Sequence, residues 1–368
     1  MSQSQVTTYW DYLRLNDLLN LQSGLDVDES SLLPDELHFI LVHQTMELWF
    51  KLILSQLRLA RDHLAAPDVP EEHIPHVVHH MGRVIEILKL SVPHFDVVET
   101  LTSRDFLAFR DKLFPASGFQ SFQMREVEIL LGMPASDREK LGNQNTLDYI
   151  KALAERSPAG ALAWGRIQQA ISEMTLKDAL DTWLHRTPIQ GSTADMPGDS
   201  EVIEAFLGDY LEAWESEAEG QLTRLAASGA AEVEGVKRRF EAALAGVSRF
   251  LNAEDIPEEE RPKVRRIRAA LVFVESYREL PLLAWPRRLL DAVAELEERL
   301  ILFRHRHVRM VERLIGRRVG TGGSAGVDYL DKTARYRIFQ DLWTVRTVLL
   351  RRAALPDLIG AEEYGFAR

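Results

Sequence analysis

The sequence predicts an all-α fold built from long amphipathic helices, and three observations support this prediction. Apolar residues recur at spacings of three and four in almost every long segment, which is the period of a helix. No convincing run of alternating β-branched residues is present. Hydrophobic residues make up 46% of the 368 residues, a composition typical of a globular protein.

The predicted helices follow one another along the chain, and several have clear start and stop signals. The segment 35–65 has Pro34 before it and acidic residues in its first turn, as helix N-termini prefer. The segment 102–113 has Thr102 as its N-cap and Pro115 beyond its end. The other predicted helices are 71–91, 122–132, 145–155, 174–185, 201–226, 230–251, 259–279, 287–316 and 328–353.

The clearest interruption of the helical pattern is residues 186–200, RTPIQGSTADMPGDS, where proline, glycine, serine and aspartate replace the apolar period. The chain has no internal repeat of fixed length, and neither half carries a complete signature of its own. We therefore predict a single helical domain over residues 35–368, with a loop excursion near 186–200. An N-terminal segment, 1–34, precedes this domain.

Composition excludes several classes of function. The net charge of −12 argues against a nucleic-acid partner, because phosphate contacts require a basic surface. No run of 18 apolar residues could span a membrane, and the N-terminus MSQSQVTTYWDYL lacks the features of a signal peptide, so we predict a cytoplasmic protein. The absence of cysteine excludes disulfides, thiolate nucleophiles and cysteine-bound metals. A bound metal or haem would need histidine, carboxylate or tyrosine.

One histidine lies within the apolar stripe of the helix 287–316. His307 fills the single gap in a series of apolar residues spaced by three, four and seven positions, whereas His305 points elsewhere. A buried imidazole without a partner costs about 1–3 kcal/mol, so His307 needs a partner. A backbone carbonyl and a bound metal are both possible partners. The apolar positions of the series are Val293, Leu296, Leu300, Phe303, Met310 and Leu314.

The glycine-rich loop GTGGSAG, residues 320–326, matches two known motifs, and we expect both matches to be false. GxGxxA from residue 320 fits a dinucleotide-binding fingerprint, and GxSxG around Ser324 fits a nucleophile elbow. Both motifs require a preceding strand, whereas a long amphipathic helix precedes this loop. The glycines still permit close approach of the backbone to a ligand, and Thr321 offers a hydroxyl there.

Two further segments combine aromatic residues with a polar group. On the helix 35–65, His43 lies one turn after Phe39 and one turn before Glu47, so the three share a face. In the stretch FLAFRDKLFPASGFQS, Arg110 stands beside two phenylalanines, and Ser117 follows in a loop. An arginine among aromatic residues is often a packed surface residue. It also suits a pocket for an aromatic carboxylate, because guanidinium binds carboxylate in a bidentate manner.

Together these segments resemble the tryptophan 2,3-dioxygenase family of haem enzymes, in an order and approximate spacing that span most of the chain. The resemblance implies an all-helical bundle that encloses one non-covalent haem b per subunit, assembles as a homotetramer and uses O2 as co-substrate. It also implies cleavage of the indole C2–C3 bond of L-tryptophan to give N-formylkynurenine. The segments that carry it are TYWDYLRLNDLL (8–19), FILVHQTMELWFK (39–51), FRDKLFPASGFQSFQ (109–123), FRHRHVRMVERLIG (303–316) and GTGGSAG (320–326).

The resemblance assigns roles to individual residues. His307 corresponds to the axial ligand of the haem iron, and His43 to the distal histidine that contacts the indole N–H. Phe39 would pack on the indole, and Arg110 would hold the substrate carboxylate. Phe106 stands at a neighbouring pocket position where the family has either phenylalanine or tyrosine.

Further roles implied by the resemblance concern the rim of the pocket and the neighbouring subunit. Thr321 would meet the substrate ammonium near a haem propionate, and Ser117 would line the distal side. Tyr9, Tyr12 and Leu13 would reach into the pocket of a neighbouring subunit.

Three positions depart from the usual pattern of the family, and two other functions stay open. Pro34 stands where histidine is usual, Ala325 where serine is usual, and Phe303 where tryptophan is common. One alternative is a related histidine-ligated haem monooxygenase acting on an indole or phenol amino-acid derivative. The other is a non-catalytic haem-binding sensor, which would share His307 but would not need the arginine clamp.

Two other clusters, one of histidines and one of arginines, are interpreted as solvent-exposed helix surfaces. His73, His76 and His80 share a helical face, but the nearby Pro75 and acidic residues favour a solvated first turn over a zinc site. The arginines between residues 299 and 318 are expected on a solvated helix face, with haem propionates as a second use for one or two of them. Their expected partners at helical spacing are Glu295, Glu297, Glu298 and Glu312.

Overall fold

The computed structural model describes residues 7–70, 72–140, 145–228, 233–322 and 325–365, and within them the predicted all-α fold is confirmed. The only pairing of extended backbone among these residues is the isolated bridge between Ile189 and Ser192. The helices are α1 (Tyr9–Tyr12), α2 (Leu15–Leu18), α3 (Pro34–Ala65), α4 (His73–Val98), α5 (Ser103–Phe109), α6 (Phe122–Leu131), α7 (Thr146–Ala154), α8 (Pro158–Ser172), α9 (Leu176–Arg186), α10 (Asp199–Ala227), α11 (Val233–Leu251), α12 (Arg261–Ser276), α13 (Ala284–Ile315), α14 (Val327–Thr333) and α15 (Gln340–Val348).

The centre of the fold is α4, which packs along both α3 and α13. Helices α6 and α9 also pack against α3, and α12 packs against α9 and α15. All six apolar positions of the predicted stripe on α13 are buried, so the periodicity identified the correct face of this helix. Among the described residues no helix combines the length and apolar character needed to cross a bilayer.

The start of α3 shows why the chain becomes helical there. Pro34 occupies the first helical position, where its fixed φ angle suits the helix and its missing N–H costs nothing. The Glu36 carboxylate accepts a hydrogen bond from the Leu33 N–H at 3.4 Å and pairs with Lys112 at 2.7 Å. This end of α3 is thereby joined to the 3₁₀ turn that follows α5.

The predicted helix 71–91 continues to Val98 in α4, and the helix predictions failed at two further places between residues 145 and 353. Helix α8 was not predicted, because its sequence is rich in alanine and glycine and buries only Ile167 and Ala170. A start signal was nevertheless present, since the Ser157 side chain caps the helix by accepting from the Gly160 N–H at 3.0 Å and Pro158 follows.

The predicted helix 328–353 is two helices, α14 and α15, with a break between them. The buried carboxylate of Glu297 accepts hydrogen bonds from the backbone N–H groups of Ile338 and Phe339 and from the Trp343 indole. Backbone amides at the break are therefore satisfied by a side chain and not by a helix. This finding also corrects the prediction that Glu297 lies on a solvated face.

The predicted loop at 186–200 is a structured segment. Asp199, the first residue of α10, accepts hydrogen bonds from the Ser192 hydroxyl at 2.7 Å and from Arg266 at 2.8 Å. Arg266 also donates to the carbonyls of Thr187 and Ser192. The division of the chain into a segment 1–34 and a domain 35–368 stays a prediction.

Candidate active site

A cavity lies between α3, α5, α13 and the glycine-rich loop, and we call it the α3–α13 cavity. It brings together seven of the ten side chains singled out in the sequence. These are Phe39, His43, Phe106, Arg110, Ser117, His307 and Thr321.

His307 occupies the α13 wall of this cavity. Its ring stacks on Phe95 of α4 with a centroid separation of 5.5 Å and lies 6.4 Å from Phe303. Burial lowers the pKa of His307 to about 4, and the charges of His43 and Arg125 act in the same direction. Neither ring nitrogen forms a hydrogen bond to any residue that the structure describes. At neutral pH the site therefore presents an uncharged imidazole with a free lone pair.

His43 lies on the α3 wall. Its Nδ1–H donates to the Phe39 carbonyl at 2.7 Å, one turn earlier in the helix. Burial lowers the pKa of His43, although this hydrogen bond and the nearby Glu47 oppose the shift. A neutral imidazole that donates through Nδ1 keeps an acceptor lone pair on Nε2. His43 can thus accept a hydrogen bond from a group inside the cavity.

Three phenylalanines form an aromatic surface next to His43. The Phe39 ring is 4.0 Å from the His43 ring between centroids, 5.7 Å from Phe106 and 5.6 Å from Phe109. Phe106 and Phe109 meet edge to face at 5.4 Å. Such spacings lie within the favourable range of about 4.5–7 Å for aromatic pairs, apart from the closer Phe39–His43 contact. Phe39 and Phe106 line the cavity and suit a flat aromatic ligand, whereas Phe109 is buried.

Arg110 begins the 3₁₀ turn that follows α5, at the mouth of the cavity. One Nη2–H donates to the Val319 carbonyl at 2.5 Å, which ties the guanidinium to the backbone before the glycine-rich loop. Its Nε is buried and has no partner among the described residues. A guanidinium has five donors, so Arg110 keeps donors for an anion.

The glycine-rich loop packs directly on the loop after α5. The Thr321 hydroxyl donates to the Ala116 carbonyl at 2.5 Å. A Cβ added to Gly322 would lie 2.7 Å from the Ser117 Cβ and would also clash with the Phe119 ring, so only glycine permits this approach. Helix α13 and not a strand precedes the loop, as expected, and Ser324 lies outside the described residues.

Comparison with known proteins identifies the family of this chain. The model of the family described as tryptophan 2,3-dioxygenase matches residues 1–349. The chain belongs to the tryptophan 2,3-dioxygenase family.

Similar proteins cover most of the chain. The tryptophan 2,3-dioxygenase of Sorangium cellulosum is 47% identical over 365 residues, which are 97% of this chain and 87% of that protein. The tryptophan 2,3-dioxygenase 2 of Ralstonia nicotianae is 47% identical over 369 residues, 98% of each chain. A tryptophan 2,3-dioxygenase-like protein of Xanthomonas campestris is 50% identical over 272 residues, 72% of this chain and 98% of that protein.

Three of the side chains that the family resemblance singled out do not line the cavity of the single chain. Tyr9, Tyr12 and Leu13 are 70%, 79% and 42% exposed. They lie on α1 and at its C-terminal end.

Several wall residues of this family member were not predicted from the sequence. Phe119 and Tyr329 line the cavity, and Met310 lies one turn after His307 on the same face. Phe119 stands in the quoted stretch with Ser117 and could have been found there. Tyr329 could not, because no local pattern shows that α14 packs on α13 beside the cavity.

The arginine prediction is partly wrong. Arg299 does pair with Glu295, and Arg309 with Glu312, at helical spacing. Arg304, however, is buried and pairs with Glu128 of α6 at 3.0 Å. Arg304 can pair with a residue of another helix because α13 packs among other helices and does not present one solvated face.

Proposed function

We propose that this protein is a haem-dependent oxygenase that cleaves the indole C2–C3 bond of L-tryptophan with O2. Both oxygen atoms enter the organic product, N-formylkynurenine, so the reaction needs no further reductant. The observation that carries the proposal is the juxtaposition, in the α3–α13 cavity, of neutral His307 with the Phe39–His43 pair and Arg110.

The donor set of the cavity supports haem b as the cofactor. His307 would hold the iron through a ring nitrogen, which has no protein hydrogen bond among the described residues. The cavity measures about 140 Å³, below the ~300–1,000 Å³ of common cofactor sites, so the support comes from donor chemistry and not from volume. When bound, haem would supply the activation of O2, which no side chain of this chain can perform.

The side chains of the chain would bind and orient the substrate. Arg110 would bind the tryptophan carboxylate through its free donors, and Thr321 would lie near the ammonium group. Phe39 would pack on the indole ring, and Nε2 of His43 would accept the indole N–H. The aromatic walls would exclude water from the reacting bond.

We also propose that the protein acts as a homotetramer. Tyr9, Tyr12 and Leu13 would complete the pocket of a neighbouring subunit, as the family resemblance implies. Their high exposure in the single chain supports this role, since large apolar side chains that cluster on a surface commonly mark an interface.

The experiment that tests the proposal is product analysis with isotopically labelled O2. Ferrous, haem-loaded protein is incubated with L-tryptophan, and the product is weighed by mass spectrometry. We expect N-formylkynurenine carrying both labelled atoms. A product with one labelled atom would show monooxygenation and overturn the proposal. Haem binding without turnover would overturn it in favour of a sensor function.

A further inference from the structure

A buried cluster of charges lies behind the His307 wall, and we call it the proximal charge cluster. Its centre is the carboxylate of Glu128 on α6, which is 1% exposed. Oε2 accepts from Arg138 at 2.7 Å and pairs with Arg125 at 2.9 Å, while Oε1 accepts from Arg304 at 3.0 Å. The guanidinium of Arg304 also lies over the Tyr336 ring, 5.0 Å from its centroid.

The proximal charge cluster has an excess of positive charge. Three guanidinium groups share one carboxylate, which leaves a formal charge of +2 within it. The side chains of Arg125, Arg138 and Arg304 are only 11%, 3% and 6% exposed. Nε of Arg125 and Nη2 of Arg138 are buried without a hydrogen-bond partner among the described residues. Water therefore screens this charge weakly.

The excess charge is close to His307. Arg304 precedes His307 by one helical turn on α13, and the Glu128 carboxylate that binds Arg304 also pairs with Arg125. No carboxylate bonds to the His307 ring among the described residues. A carboxylate at that position would raise the basicity of a metal-bound imidazole. This site differs: guanidinium groups lie near the imidazole, and no carboxylate accepts a hydrogen bond from it among the described residues.

We propose that the proximal charge cluster stabilises the ferrous state of an iron held by His307, an inference that rests on the proposed function. Reduction of ferric to ferrous haem adds one negative charge to the site and breaks no bond. Fixed positive charge in a poorly hydrated region favours that added charge. Arg125 and Glu128 are thus positioning residues that act through His307 without touching the substrate.

The test compares the haem reduction potentials of variants that change the charge in opposite directions. Glu128→Gln removes a negative charge and is expected to raise the potential, whereas Arg125→Gln removes a positive charge and is expected to lower it. We expect each to shift the ferric–ferrous equilibrium roughly tenfold, about 59 mV for one electron. The potentials are measured by reductive titration of the haem-loaded proteins with dithionite in the presence of redox mediators, followed by the haem absorbance spectrum.

Two further variants separate charge from structure. Arg125→Lys keeps the positive charge and is expected to restore the wild-type potential. Asp199→Asn breaks the buried ion pair between Asp199 and Arg266 of α12. This pair lies outside the proximal charge cluster, so the variant is expected to keep the wild-type reduction potential. If Glu128→Gln does not fold, the Arg125→Gln and Arg125→Lys pair still decides the matter.

The outcomes distinguish this proposal from the proposed function. If the wild-type protein binds haem and Arg125→Gln has the wild-type reduction potential, the role of the cluster is overturned and the proposed function is not. Equal shifts in Arg125→Gln and Arg125→Lys would show a structural effect and would also overturn it. Wild-type protein that binds no haem would overturn both proposals.

Discussion

The two halves of α3 bring histidines into different environments. In the N-terminal half, His43 packs against Phe39 and faces a cavity whose other wall carries His307. Near the C-terminal end, His63 lies in a group of histidines that we call the His63 cluster. Its other members are His73, His76 and His80 of α4, with ring centroids 5.0, 5.8 and 6.0 Å from that of His63.

The comparison shows that the surroundings of histidines matter more than their number. In the His63 cluster the rings of His76 and His80 stack on His63, His73 meets it edge to face, and His80 Nδ1 donates to Gln56 at 2.8 Å. No group of three or more His, Asp or Glu side chains in the described ranges is arranged to hold a metal ion. At the cavity, aromatic side chains surround His307 and leave both of its nitrogens without a protein partner. Within the described residues, the four neighbouring histidines are thus not arranged to hold a metal ion, whereas His307 faces the cavity with its ring nitrogens unpaired.

The largest expected effect comes from removing that isolated imidazole. His307→Ala is expected to abolish haem binding, because no other described side chain is placed to replace the iron ligand on the α13 wall. The measurement is the Soret absorbance per protein chain after reconstitution with haem. His305→Ala, two residues earlier on α13 and exposed, is the matched control and is expected to bind haem normally. A normal Soret band in His307→Ala would refute the ligand assignment.

A smaller effect is expected from the cation at the mouth of the cavity. Arg110→Ala removes a charge-assisted hydrogen bond to the substrate carboxylate, a loss of about 1.5–3 kcal/mol, and is expected to lower kcat/KM for tryptophan roughly 10- to 150-fold. The Soret band should not change. Steady-state kinetics with tryptophan measure this effect.

The control for Arg110 lies on α5, the short helix just before it. Arg104 of α5 is exposed, so Arg104→Ala is expected to keep wild-type kinetics. Equal kinetics in Arg110→Ala and Arg104→Ala would remove the carboxylate clamp from the mechanism.

His43 is expected to matter less, because it would contribute one neutral hydrogen bond. His43→Ala should lower kcat/KM roughly fivefold while haem content stays normal, in line with about 1 kcal/mol for such a bond. His43→Gln offers an amide oxygen as a replacement acceptor and is expected to fall between wild type and His43→Ala. Loss of haem in His43→Ala would show that the residue is structural or is itself a ligand.

The sequence predicted the cavity better than it predicted the His63 cluster, and periodicity explains why. The cavity-facing side of α13 could be predicted because apolar residues flank His307 at helical spacing. The cavity-facing side of α3 could be predicted because Phe39 and His43 are one helical turn apart. The contact of His63 with His73, His76 and His80 was not predicted, because contacts between helices depend on how the helices pack. A local sequence pattern does not show this packing.

The proximal charge cluster was also missed for a physical reason. Arg304 reads as one of several surface arginines, and Glu128 lies in a separate helix. Only the packing of α6 near α13 brings them together and buries both. Long-range ion pairs therefore had to be found in the structure.

The smallest expected effect concerns stability at the His63 cluster. Burial lowers the pKa of His63, and the charges of His73 and His76 lower it further, while Asp62 opposes the shift. Burial likewise lowers the pKa of His80, as do the charges of His63 and Arg83 among others. The unfolded chain, with histidine pKa near 6.5, therefore binds more protons than the folded chain at mildly acidic pH. The stability contributed by the cluster is present above about pH 6.5 and is lost as the pH falls toward the lowered folded-state values.

The variant His63→Gln should reduce this acid sensitivity, because it removes the ring that all three other histidines approach. We expect the fall in Tm between neutral and mildly acidic buffers to be smaller in His63→Gln than in wild type. His305→Gln, which changes an exposed histidine outside the cluster, should retain the wild-type fall. Scanning calorimetry of the same preparations at several pH values measures the difference. If His63→Gln and His305→Gln lost Tm in parallel, the close approach of these rings would carry no electrostatic cost.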